Sequence, residues 1–222
     1  MPSRLRPTAS VAADAVLVGD PGRALLLAQE LLASPKMSNH SRGLWGYSGQ
    51  TPAGRPLTIQ STGMGGPSAA LVLGELGGLG VRRAVRVGTC TAFEESLELG
   101  EIVVVEAAIA AGGSATALGI APGEAVVPDE RLTERLGGTP EGFRRATVAS
   151  FDAHPGDQAP RPGAVAADMQ TAPLLARARA LGIDAAAVLI VTEKAGGEHL
   201  ETERLEPTEK RAGRAAAAAF ST

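Results

Sequence analysis

Three short apolar runs in the first half of the chain each end in a glycine-rich turn, and this pattern constrains the fold more than any other feature. Residues 15–18 run into Gly19-Asp20-Pro21, after which Ala24, Leu25, Ala28, Leu31 and Leu32 recur at helical spacing. Asp20 fits an N-cap and Pro21 the first helical position: the carboxylate satisfies a free backbone N–H, and proline has none to lose. Residues 56–62 run into a second turn, followed by small and apolar residues as far as Gly80. Residues 84–88 run into a third, Gly88-Thr89-Cys90-Thr91. Strand, tight turn and helix in alternation predict an α/β fold around one sheet.

The rest of the chain continues the pattern. Residues 43–49 and 56–62 read as strands joined by a turn with Pro52 and Gly54. Strands are expected at 102–111, 146–151 and 185–192, and helices at 129–136, 169–181 (capped by Gly182) and 207–220. Three prolines and two glycines make 152–163 a loop. Residues 1–13 read as an N-terminal arm and 14–222 as one domain, with no repeat.

Composition narrows the function. Apolar residues make up 44% and charged ones 20%, enough for a core and too little charge for disorder. Net charge is −3, with Lys and Arg scattered, so neither nucleic acid nor a membrane is expected as a partner. The one cysteine, Cys90, has no partner for an internal disulfide and fits a reducing compartment. Arg4 and Arg6 precede an apolar stretch that Asp14 interrupts, too short for a signal sequence, so a cytoplasmic location is expected. With 28 glycines in 222 residues, against an average near 7%, either the loops are glycine-rich or backbone approaches something closely.

In α/β sheets ligands bind at the carboxyl ends of strands. Arg23 lies one turn into the first helix, and Arg86 precedes Gly88 and Thr89 at another strand end. Helix-terminal amides, guanidinium forks and a hydroxyl are the groups that hold an inorganic phosphate. An arginine inside an apolar strand needs a partner, so Arg86 carries more weight than Arg23; a buried carboxylate would satisfy it equally well.

The turns GDPGR (19–23), STGMGGPS (61–68) and VRVGTC (85–90), in this order, resemble the purine nucleoside phosphorylase and uridine phosphorylase family. Its trimeric-to-hexameric branch also holds nucleosidases acting on methylthioadenosine and adenosylhomocysteine. NHSRGLWGYSG (39–49) is similar to the stretch whose arginine reaches a neighbour's phosphate site, and AADMQTA (166–172) falls at the Glu-Met-Glu signature. The resemblance runs from residue 15 to the end and is weakest over 113–165.

It implies a single domain with a mixed central β-sheet flanked by helices, and a homo-oligomer built from dimers, up to a hexamer. Gly19, Arg23, Arg86 and Thr89 would bind phosphate, with Arg42 shared across the interface. Met64, Met169 and Gln170 would meet the sugar, and Phe151, Cys90, Thr91, Asp168 and Thr192 the base. Glu193 and Arg86 would carry the chemistry. No cofactor and no metal is implied; inorganic phosphate is the co-substrate and a nucleoside the other partner.

The sequence also departs from the family. Gln170 stands where the second signature glutamate binds ribose hydroxyls, and Asp168 shortens the first. Thr192-Glu193 replaces a Ser-Asp pair, so the acid sits one methylene further out. Residues 1–15 lack the histidine that many members lend a neighbour, and 152–168 is shorter than usual. His154, in that loop, reads as a surface histidine. The expected activity is phosphorolysis of a nucleoside. The alternatives are hydrolysis by a nucleosidase, against which the retained arginines argue, and a weak or inactive nucleoside- or nucleotide-binding homologue.

Overall fold

The computed structural model describes residues 4–138 and 142–221. Ten strands form one mixed sheet: β1 (Asp14–Val18), β2 (Ala33–Asn39), β3 (Gly46–Gln50), β4 (Pro56–Ser61), β5 (Arg83–Ala92), β6 (Ile102–Ala110), β7 (Ala125–Val126), β8 (Arg144–Ser150), β9 (Ala166–Asp168) and β10 (Asp184–Lys194). Six helices flank it: α1 (Pro21–Leu31), α2 (Gly66–Gly78), α3 (Gly113–Thr116), α4 (Glu130–Gly137), α5 (Thr171–Leu181) and α6 (Thr202–Ala219). Among the described residues no helix is long and apolar enough to cross a membrane.

The strand order is β10-β6-β8-β9-β5-β1-β4-β3-β2, and β10 also pairs with β5, so five strands close into a ring from which β1, β4, β3 and β2 extend. Alternation sends successive side chains to opposite faces. Ala15, Leu17, Ala187, Leu189 and Val191 pack with Leu73, Leu76 and Leu174 of α2 and α5. Val16, Val18, Val188 and Ile190 pack with Leu27, Leu136 and Ala216 of α1, α4 and α6. Each fully buried aliphatic side chain contributes about 1.5–3 kcal/mol relative to an exposed one, so apolar layers on both faces hold the sheet even with six aromatic residues.

The sheet splits at β5. One edge of β5 pairs with β10 along its length. The other pairs with β1 over 83–87 and with β9 over 91–92. Residues 88–90 therefore face a gap left where β1 has ended and β9 has not begun, and this gap becomes the cavity described below.

Two expectations are corrected here, in β5 and α6. Gly88-Thr89-Cys90-Thr91 is not a turn but the middle of β5, paired with Leu189, Ile190, Val191 and Glu193. Glycine is required there for space: a Cβ on Gly88 would collide with the folded-back Arg86 guanidinium and with Leu189. An edge strand, β2, runs where the sequence pattern marks no element. Helix α6 begins at Thr202, ahead of Pro207. Residues 4–13 lie against the domain: the N–H groups of Arg4 and Leu5 donate to the Glu75 carboxylate, Arg6 N to Asn39 and Ala12 N to Thr58, with Leu5 buried. Residues 1–3 of that segment, and 139–141 and 222 of the domain, lie outside the described residues.

Candidate active site

The gap beside β5 opens into a cavity of about 610 Å³. Its walls include Gly19, Arg23, Met64, Arg86, Thr89, Cys90, Thr91, Asp168, Met169, Gln170, Thr192 and Glu193, which are the sequence-selected positions apart from Arg42 and Phe151. Arg42 is exposed in a short 3-10 turn at Ser41–Gly43, with a left-handed backbone (φ 61°), outside the lining of its own cavity. Phe151 is 3% exposed and packs with Ala149 and Ala167, with the Arg161 guanidinium 5.6 Å from its ring centre, again outside the lining.

The first wall is the start of α1. Asp20 caps it, accepting from Arg23 N at 2.6 Å, and Pro21 occupies the first turn, as the sequence predicts. Arg23 Nε donates to Glu209 of α6 at 2.7 Å, while its two Nη groups make no hydrogen bond to a described residue. Arg86 is more fully held. Nε donates to Thr171 Oγ1 (3.2 Å), Nη1 to Gln170 Oε1 (2.6 Å) and Nη2 to Asp168 Oδ2 (3.0 Å). Three of five guanidinium N–H donors are thus used, and two are left. Burial is the largest influence on Arg86 and lowers its pKa, Asp168 raises it, and the nearby Arg23 charge lowers it again. Two guanidiniums close enough to feel each other on one cavity wall make that wall attractive to an anion.

Asp168 is the hub beneath this wall. Ser150 Oγ donates to Oδ1 at 2.5 Å, and Thr171 Oγ1, Gln170 N and Arg86 to Oδ2. Its side chain is fully buried, and both oxygens are committed to the chain itself. Gln170 completes the frame: Nε2 donates to Gly63 O at 2.6 Å and Gly65 O at 3.2 Å. Gly63 and Gly65 have φ of 73° and 79°, which glycine alone adopts without strain, so Gln170 locks a turn that glycine permits.

The opposite wall is made by a β-bulge. Val191 pairs with Cys90, yet Glu193 pairs with Thr91, so Thr192 is the extra residue. A bulge re-aims the side chains that follow it, here bringing Glu193 beside Thr91, whose hydroxyl donates to Oε2 at 3.2 Å. Thr89 and Thr91 share one face of β5 and lie about 7 Å apart by strand rise. Cys90 between them points into the core, 4% exposed; burial raises its thiol pKa, and the neutral S–H donates to Ile190 O.

One lining residue was read from the sequence as surface only. His154 enters the cavity wall with Pro155, and its Nε2 lies 3.3 Å from Glu193 Oε2. Its partner is remote in sequence, which left no local signal. Among the described residues no group of three or more His, Cys, Asp or Glu is arranged to hold a metal ion.

A ring-closed mixed sheet and a cavity lined by two arginines and an acid define the class, and a sequence profile described as the phosphorylase superfamily matches residues 14–222. The chain belongs to that family. It is similar to the DeoD-type purine nucleoside phosphorylase of Alkaliphilus metalliredigens, 29% identical over 212 residues, which cover 87% of this chain and 88% of that protein. The DeoD-type purine nucleoside phosphorylases of Oceanobacillus iheyensis and Clostridium perfringens are 38% and 37% identical over shorter stretches, 43% and 42% of this chain and 41% and 40% of theirs.

Proposed function

We propose that the chain catalyses phosphorolysis of a purine nucleoside, giving free base and a pentose 1-phosphate. The observation that carries the reading is that Arg23, with both Nη groups uncommitted, and Arg86 share a cavity with Glu193. The relatives' names favour a purine base. The retained arginines favour phosphate over water as the attacking group.

Phosphate sits against Arg23 Nη1 and Nη2, the spare N–H groups of Arg86, the Gly19 amide and the Thr89 hydroxyl. The sugar fills the span of about 7 Å from Thr89 to Thr91, beside Met64 and Met169. A phosphate oxygen forms a bond to the anomeric carbon as the C–N bond breaks, and the bound anion stabilises the oxocarbenium-like charge between them. Glu193 supplies a proton to the departing nitrogen. Asp168 and Gln170 hold Arg86 and the 63–65 turn in place. We further propose that Arg42 serves a neighbouring subunit's cavity in a homo-oligomer, since it does not reach its own, and that Phe151 supports the base side from behind.

The test is incubation with a mixed nucleoside pool, with and without phosphate. Phosphate-dependent release of a purine base is expected; no release from any nucleoside would overturn the proposal.

A further inference from the structure

Glu193 is held from two sides on one oxygen. The Thr91 hydroxyl donates to Oε2 at 3.2 Å, and His154 Nε2 lies 3.3 Å from the same atom. The other ring nitrogen, Nδ1, accepts from Gly156 N at 3.2 Å. A nitrogen that accepts an N–H carries no proton, so the neutral imidazole bears its hydrogen on Nε2, aimed at the carboxylate. Oε1 makes no hydrogen bond to a described residue, and a Cβ on Gly156 would lie 2.7 Å from it. The backbone of the 154–156 turn therefore flanks the free oxygen, while the imidazole occupies the other.

The turn is fixed well enough to do this. Asp152, ahead of it, accepts from Ser114 N at 2.9 Å. Pro155 is buried, and Asp157 N closes the turn onto His154 O at 3.1 Å. The imidazole itself is 55% exposed, so it adds little to the core, and among the described residues its one close side-chain partner is Glu193.

We propose that His154 is a positioning residue for Glu193. With Thr91 it saturates Oε2, so that the proton destined for the leaving base is carried and delivered by Oε1. This rests on the reading of Glu193 as the proton donor given above. As the C–N bond breaks its electron pair goes to the base nitrogen, which takes the proton from Oε1, and phosphate oxygen takes the anomeric carbon. His154 keeps its own proton and stabilises the carboxylate left behind.

The experiment compares His154→Ala and His154→Gln with the unaltered chain on inosine and on N7-methylinosine, whose cationic base leaves without needing a proton. On inosine, His154→Ala should lower kcat about 10- to 100-fold, the scale of a misplacement near 1 Å, with KM for phosphate unchanged. On N7-methylinosine kcat should stay within about twofold, and His154→Gln, whose amide still donates to Oε2, should recover most of the inosine rate. Equal losses on both substrates, or none on inosine, would overturn the role of His154 while leaving phosphorolysis standing. If the unaltered chain cleaves neither of these nor any nucleoside of the mixed pool, the functional reading fails and this proposal with it.

Discussion

Arg86 and Gln170 are joined by a 2.6 Å hydrogen bond, from guanidinium Nη1 to amide Oε1, and the same amide donates from its other end to the carbonyls of Gly63 and Gly65. An amide offers an acceptor oxygen at one end and two N–H donors at the other, which matches one guanidinium and two carbonyls. A carboxylate accepts well from Arg86 but has nothing to donate to two carbonyls. This gives the glutamine at position 170 a structural reason.

Gln170→Glu is therefore expected to destabilise the fold. A carboxylate oxygen would face Gly63 O and Gly65 O with no hydrogen between, costing about 1–3 kcal/mol for the lost and unsatisfied groups. At about 2–4 °C per kcal/mol for a domain of this size, thermal unfolding should drop by roughly 2–12 °C. An unchanged or raised midpoint in differential scanning calorimetry would refute the locking role.

Asp168→Asn should cost more. The side chain is fully buried against Arg86, and removing one charge of a buried pair typically costs about 3–5 kcal/mol because the other is left uncompensated. The midpoint should fall by roughly 6–20 °C. A change under about 1 °C would show that the pair is not what holds Arg86.

Much of the fold was legible because it rests on local chemistry. Asp20 and Pro21 announce α1, and the continuous apolar run 15–18 marks β1 as a strand buried on both faces. The edge strand β2 was not, because Ala33 to Met37 are exposed and show no alternation. The continuation of β5 through Gly88 was hidden because the reason for glycine lies in Arg86 and in Leu189 on another strand. The site's residue types were legible, but their commitments were not. Whether Arg86 faces a ligand or a carboxylate depends on Asp168, and the Thr192 bulge and the His154–Glu193 contact form only when distant segments meet.

Arg23→Lys separates phosphate binding from stability. Lysine keeps a cation against Glu209 but lacks the planar fork that leaves two Nη groups free. Losing one charge-assisted pair of bonds, about 1.5–3 kcal/mol, should raise KM for phosphate about 10- to 150-fold, with the nucleoside KM changed less than about threefold. Phosphate titration at saturating nucleoside reads this directly; an unchanged KM for phosphate would remove Arg23 from the anion site.

Cys90 should resist thiol reagents. Burial raises its pKa, so at pH 8 the thiolate fraction is smaller than for an exposed cysteine, and the residue is 4% exposed. An aromatic disulfide reagent should find almost no reactive thiol in the native chain and one per chain in denaturant. Rapid native reaction would contradict the placement of Cys90 in the core.

The central claim is that phosphate, held by Arg23 and Arg86, is the group that attacks the sugar. Phosphorus NMR of the protein with inosine and inorganic phosphate tests it most directly. The account predicts that the phosphate resonance is replaced, one for one with hypoxanthine released, by that of a pentose 1-phosphate, and that no base appears without phosphate. Hypoxanthine released at the same rate in phosphate-free buffer, with the phosphate resonance unchanged when phosphate is present, would contradict it.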